Sequence, residues 1–121
     1  MSYTAIVLDP ESRNIILSHL PMPIPAGWKI VADHMTIEMN KPVLAAEYLG
    51  QKVELSVNSF AANDKVMAVG VETAVPSTRE QKHITVAVNY ANGGKPFLSN
   101  LLTYWEPIQS FKISGVVEEV D

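Results

Sequence analysis

Apolar residues recur at every second position along several stretches of this chain, the spacing of a strand with one face turned to a core. The run 29–39 sets Met35, Ile37 and Met39 on one face and His34, Thr36 and Glu38 on the other, with Asp33 opposite His34. The run 83–89 repeats the arrangement, Ile84, Val86 and Val88 against His83, Thr85, Ala87 and Asn89. Val53, Leu55 and Val57 alternate with polar neighbours in 51–60, and a second apolar run fills 64–72 beyond the turn at Ala62-Asn63. These two predict a hairpin or meander. Tyr3 to Leu8 predicts an opening strand and Phe111 to Val120 a closing one.

Between the strands the breakers are equally legible. Asp9 as N-cap, Pro10 at the first helical position and Glu11 in the first turn predict a helix over 10–20, carrying Ile15, Ile16 and Leu20 and stopped by Pro21. The segment 21–27 holds Pro21, Pro23, Pro25 and Gly27 and suits neither helix nor central strand. A loop with a helical turn is expected at 41–50, a polar loop at 76–82, a turn at Asn92-Gly93-Gly94, and an irregular or short helical piece at 95–106. Strands outnumber helices, and their short connections suit antiparallel pairing. The expected class is α+β.

At 121 residues and 47% hydrophobic content the chain suffices for one domain, 1–121, with its own core. A net charge of −4, with nine Lys and Arg scattered, offers no basic stripe for a long nucleic-acid duplex. A small nucleotide or an RNA end suits that balance better. There is no cysteine, so disulfides, thiolate chemistry and Cys-based zinc sites are excluded. Neither a basic segment leading into an apolar core at Met1-Ser2-Tyr3-Thr4 nor an apolar run of spanning length occurs. A cytoplasmic protein with no membrane partner is the expectation.

Against this background the histidines stand out. The chain has three, and two open a matching tetrapeptide, His34-Met35-Thr36-Ile37 and His83-Ile84-Thr85-Val86. With six threonines in the chain, two such spacings by accident have a chance on the order of one in 130. The repeat therefore counts as a signal where one copy would not. Both copies lie on predicted strands, so two strands side by side, or related by a pseudo-twofold axis, would aim two imidazoles and two hydroxyls at one point. One phosphate fits there. Hydrolysing a phosphodiester needs a base for the attacking water and an acid for the leaving ribose oxygen, and imidazole can be either near neutrality. Threonine hydroxyls can donate to the nonbridging oxygens. The spacing does not say which histidine is base.

With its two His-x-Thr-apolar motifs on strands, the chain resembles the two-histidine (2H) phosphoesterase superfamily, and its compact RNA repair-like members more than the longer 2′-5′ RNA ligase-like ones. Gly27-Trp28-Lys29, Leu49-Gly50-Gln51, Gly94-Lys95-Pro96 and Ser99-Asn100 add to the likeness. The resemblance implies two antiparallel sheet lobes around a central groove, with few helices. It also implies a metal-independent phosphodiesterase, without cofactor, acting on a 2′,3′-cyclic phosphate, a 2′-5′ linkage or a cyclic nucleotide. His34 and His83 would then be the acid-base pair and Thr36 and Thr85 the phosphate-holding hydroxyls. Lys95 and Ser99 are candidate contacts to phosphate or ribose, and Trp28 and Tyr90 candidate stacking partners for a base. His19 lacks a Thr partner and suits a helix end. Asp33 and Glu38 offer no metal-ligand spacing with a histidine. The alternative is a groove that binds a nucleotide or RNA end without turning it over.

Overall fold

Each predicted strand finds an antiparallel neighbour in the computed structural model, which describes residues 2–121. In chain order the elements are β1 (Tyr3–Leu8), α1 (Pro10–Ser18), β2 (Lys29–Ile30), β3 (His34–Glu38), β4 (Lys52–Ala62), β5 (Val66–Glu72), β6 (His83–Val88) and β7 (Glu106–Val120). Short 3-10 turns occupy Ala46–Tyr48, Tyr90–Asn92 and Pro96–Leu101. The class is α+β, mostly antiparallel sheet with one α-helix among the described residues. No helix of those residues is long and apolar enough to cross a membrane.

The strands run β1-β3-β6-β5-β4-β7 and return to β1, closing a six-stranded barrel, with β2 laid against β6. The two sheet lobes expected from the resemblance are not found as separate sheets. Two strands join what would have been the lobes. β7 is 15 residues long and pairs with β4 through Glu106–Val116 and with β1 through Gly115–Val120. β6 pairs with β5 on one side and, at Met35↔Ile84, with β3 on the other. One apolar core fills the ring: Ile6, Met35, Ile37, Leu55, Val57, Met67, Val69, Ile84, Val86 and Val117 belong to one buried cluster. Most alternating positions read from sequence point inward, but Met39 does not, and Ala87, expected on the opposite face, is buried in the core cluster where the β5–β6 register shifts.

The helix starts at Pro10 as expected but ends at Ser18, and Ile16 is its fully buried residue. Asp9 stands at the N-cap without a side-chain cap bond. Its carboxylate instead accepts the Ser114 hydroxyl at 2.5 Å, and Ser12 Oγ accepts the Ser114 amide at 2.8 Å. Serine on the neighbouring strand outcompetes the helix amides, and the helix is fastened to β7. His19 occupies the helix end, where its ring donates to the Ile15 carbonyl at 2.8 Å and satisfies an acceptor the helix leaves open.

The run expected to be continuous from 29 to 39 is broken. Ala32 has φ +46° and is fully buried, so Val31–Asp33 forms a kink between β2 and β3. The kink is held by Leu8 N donating to Asp33 O at 2.9 Å, Ala32 N to Thr85 O at 3.0 Å, and Arg13 Nε to Val31 O at 3.3 Å. Further on, the β1–β3 register shifts: Ala5 faces Thr36 but Thr4 faces Glu38. This bulge turns Glu38 out of the row of His34 and Thr36. Its buried carboxylate accepts the amides of Val43 and Ala45 and the Asn40 side chain. Burial pushes that carboxyl up, but the bonds from Val43, Asn40, Ala45 and Leu44 outweigh it and hold it below the usual carboxylate range.

Gly115 sits where β7 passes from one partner to the other, facing Leu8 on β1 and Val53 on β4. A Cβ there would stand 2.5 Å from the Val7 carbonyl oxygen and 2.8 Å from Ile6 Cγ2. Backbone cannot step aside as a flexible side chain can, so Gly115→Ala is expected to destabilise the fold by about 1–3 kcal/mol. Urea unfolding checks this; a midpoint equal to that of the native chain would contradict the account of the seam.

Candidate functional site

The outward face of β3 and β6 carries the histidines. Met35↔Ile84 pairs the two motifs antiparallel, so each histidine lies on the side of the other motif's threonine. That is the local twofold relation the repeat predicts. A cavity of about 230 Å³ opens over this face, and His34, Thr36, His83, Thr85 and Ser99 all line it. Tyr3, Met39 and Phe97 form apolar walls, and Arg79 reaches it from the loop before β6. Met39, expected inward, is instead 56% exposed and part of this wall, because the bulge beside Glu38 inverts the alternation.

The two histidines sit in different surroundings. His83 is only 9% exposed. Its Nδ1 donates to the Gln81 carbonyl at 2.8 Å, which leaves Nε2 as the accepting nitrogen of the neutral ring, 3.1 Å from Ser99 Oγ. Burial holds its pKa below the ordinary value near 6.5; the Gln81 bond opposes this, and the charges of Arg79 and His34 add to it. His83 therefore rests neutral. His34, its side chain 28% exposed, pairs through Nδ1 with the Asp33 carboxylate. That bond, assisted by the charge of His34, holds the Asp33 carboxyl below the usual carboxylate range against the effect of its burial. Asp33 fixes Nδ1 as the protonated nitrogen and leaves Nε2 of His34 for the cavity. The expectation that Asp33 faces away from His34 fails because the Ala32 kink interrupts the strand just before it.

Ser99 ties the second motif to the covering turn Pro96–Leu101. Its hydroxyl lies 2.7 Å from Thr85 Oγ1, 2.7 Å from the Pro96 carbonyl and 3.1 Å from His83 Nε2. One serine proton cannot serve both the carbonyl and the nitrogen. With His83 neutral, one of those acceptors goes without; with Nε2 protonated, all three bonds form at once. The cluster is short of one proton and has a place for it.

Of the remaining candidates, Lys95 opens the covering turn but does not line the cavity. Trp28 packs partly buried against the core, so its ring is spent on packing. Tyr90 is 54% exposed in the turn after β6, away from the cavity. The aromatic rings that do meet the cavity are Tyr3, whose ring centroid lies 5.5 Å from that of His34, and Phe97. Burial and the neighbouring Asp33 charge raise the Tyr3 hydroxyl pKa. Sequence reasoning missed Asp33 and Arg79 as members of the site. Asp33 adjoins the first motif, but only the kink makes that adjacency a hydrogen bond.

Larger hollows lie elsewhere, one of about 530 Å³ between Tyr48, Val53–Ser56 and Glu72–Val75, but it holds no histidine. Among the described residues no three His, Asp or Glu side chains gather as a metal ion would need. No protein-family model matches this chain, and no curated protein matches it.

The depressed pKa of His83 has a measurable sign. As pH falls the unfolded chain binds its proton first, so stability is lost from about pH 6.5 downward until His83 protonates within the fold. Urea midpoints measured from about pH 7.5 to pH 5 should fall in the native chain and fall less in His83→Gln. Equal slopes in the two proteins would show that His83 is not held neutral.

Proposed function

We propose that the chain is a phosphoric diester hydrolase of the two-histidine kind, acting on a nucleotide or RNA end that carries a 2′,3′-cyclic phosphate, a 2′-5′ linkage or a cyclic nucleotide linkage. One observation carries the reading: two His-x-Thr motifs, antiparallel about Met35↔Ile84, open into one cavity. In this reading the cavity over the two motifs takes the part of the groove that the resemblance expects. The cytoplasm is the setting we assign, consistent with a chain free of cysteine.

In this reading His83 is the base and His34 the acid. Water attacks phosphorus and gives its proton to His83 Nε2, directly or through the Ser99 hydroxyl. The bond from phosphorus to the leaving ribose oxygen breaks, and His34 delivers the Nε2 proton to that oxygen. Diester and water become monoester and alcohol, and both histidines have exchanged charge states. The Asp33 carboxylate balances the charge that His34 carries before transfer. Thr36 and Thr85 donate to the nonbridging oxygens, where charge grows in the transition state. Ser99, bonded to both Thr85 and His83, stands beside them where it can pass the water's proton on.

That same engagement of Thr85 and His83 favours a second reading, a site that binds a nucleotide and does not turn it over. The two separate on incubation of purified protein, with EDTA present, against 2′,3′-cyclic mononucleotides, 2′-5′ and 3′-5′ dinucleotides and cyclic oligonucleotides. Turnover should resist EDTA and fall by about 10²–10⁴-fold in His34→Ala and in His83→Ala, with the fold retained. Full activity in both variants would sink the catalytic assignment; binding without product in the native chain would favour the second reading. Asp33→Asn should lower kcat more than it changes KM, since it acts through His34 and not on the ligand.

A further inference from the structure

Arg79 is unaccounted for by the acid-base scheme. It lies in the loop between β5 and β6, which is fastened to the first motif's strand. Ser77 Oγ donates to Thr36 O at 3.0 Å, Thr78 N to Ile37 O at 2.8 Å, and the Arg79 amide to Ser77 Oγ at 3.0 Å. Those bonds fix the Arg79 backbone against Thr36. The side chain runs back toward the second motif, and its Nε is buried without a hydrogen-bond partner, the one such side-chain atom among the described residues. A buried guanidinium N–H left unpaired is costly, and an anion in the adjoining cavity would complete it.

The position of Arg79 says what kind of ligand. It lines the cavity of the two motifs and also a second, adjoining one of about 400 Å³. Arg79, His83, Ser99 and Asn100 are common to both. Each cavity has an aromatic wall of its own. Phe97, 59% exposed, borders the first, and Trp105, its ring centroid 6.0 Å from that of His83, borders the second. A guanidinium fork binds phosphate oxygens, and an aromatic face takes a base of any sequence. A cyclic mononucleotide has one base and needs one such chamber. A diester joining two nucleosides needs two, with its phosphate at the junction.

We propose that Arg79 holds the phosphate of an internucleotide diester whose two nucleosides occupy these two adjoining cavities. The proposal rests on the phosphoester reading above and narrows its three substrate kinds to those with a nucleoside on both sides of the scissile phosphate. Trp105 belongs to the second nucleoside's chamber and touches no reacting atom.

Binding in the His34→Ala background, where turnover does not intervene, tests it with three probes: inorganic phosphate, a 3′-mononucleotide and a 2′-5′ or 3′-5′ dinucleoside monophosphate. The dinucleotide should bind about tenfold or more tighter than the mononucleotide. Arg79→Gln should weaken phosphate and dinucleotide alike by about tenfold or more, and Arg79→Lys should recover part of that loss. Trp105→Ala should weaken the dinucleotide several-fold and leave inorganic phosphate unchanged, with thermal melts showing each variant folded. Dinucleotide affinity that survives Arg79→Gln, or a mononucleotide that binds as tightly as the dinucleotide, overturns the proposal. The native chain is then given the dinucleotide. This binding pattern without cleavage supports the proposal and sinks the hydrolytic reading, whereas cleavage with Arg79→Gln affinity unchanged sinks the proposal alone.

Discussion

β6 must pair on both of its edges, and the rest of the molecule is arranged around that demand. Bonded to β5 on one side and to β3 on the other, it closes the sheet on itself and commits the inward row of Ile84 and Val86 to the core. Strand geometry then leaves the intervening His83 and Thr85 no place except the outer surface. The same holds for His34 and Thr36 across the Met35↔Ile84 pair. The chemistry is thus displayed by the packing, and its precision is borrowed from a buried ladder.

The two strands do not supply equivalent environments, and this is where the site acquires direction. The Ala32 kink swings Asp33 beside His34 and leaves that ring partly open to solvent. His83 is pressed beneath the Pro96–Leu101 turn, its Nδ1 held by the Gln81 carbonyl and its Nε2 by Ser99. Sequence symmetry becomes chemical asymmetry through backbone irregularity on one side and burial on the other. A site built from two identical halves would lack any reason to favour one histidine as proton acceptor.

Legibility in the sequence followed the range of the interaction. β1, β5 and β6, the start of α1 and the 3-10 turn near residue 46 could be read because alternation, Pro10 and the loop residues act locally. The motif residues could be read because the repeat gives their spacing, and Ser99 because it follows the second motif closely. The closed barrel could not, since the β6–β5 and β7–β4 pairings join residues far apart and leave no mark in any short window. Asp33, Glu38 and Met39 were misassigned for one reason: strict alternation assumes an unbroken strand, and here a positive φ at Ala32 and a bulge opposite Thr4 each shift the phase. Lys95, Trp28 and Tyr90 lay close to the motifs in sequence, yet proximity along the chain did not carry them into the cavity.

Closure has a bearing on how the molecule meets others of its kind. A sheet that ends in free edges offers rows of unpaired amides and carbonyls onto which a foreign strand can dock, the first step of ordered aggregation. Here the place where β3 and β6 part would be such an edge, but Ser77 and Thr78 already donate to the carbonyls of Thr36 and Ile37. The strand left outside the ring, β2, is two residues long. The loop that carries Arg79 therefore doubles as a guard, occupying the two β3 carbonyls that a foreign strand would otherwise find free.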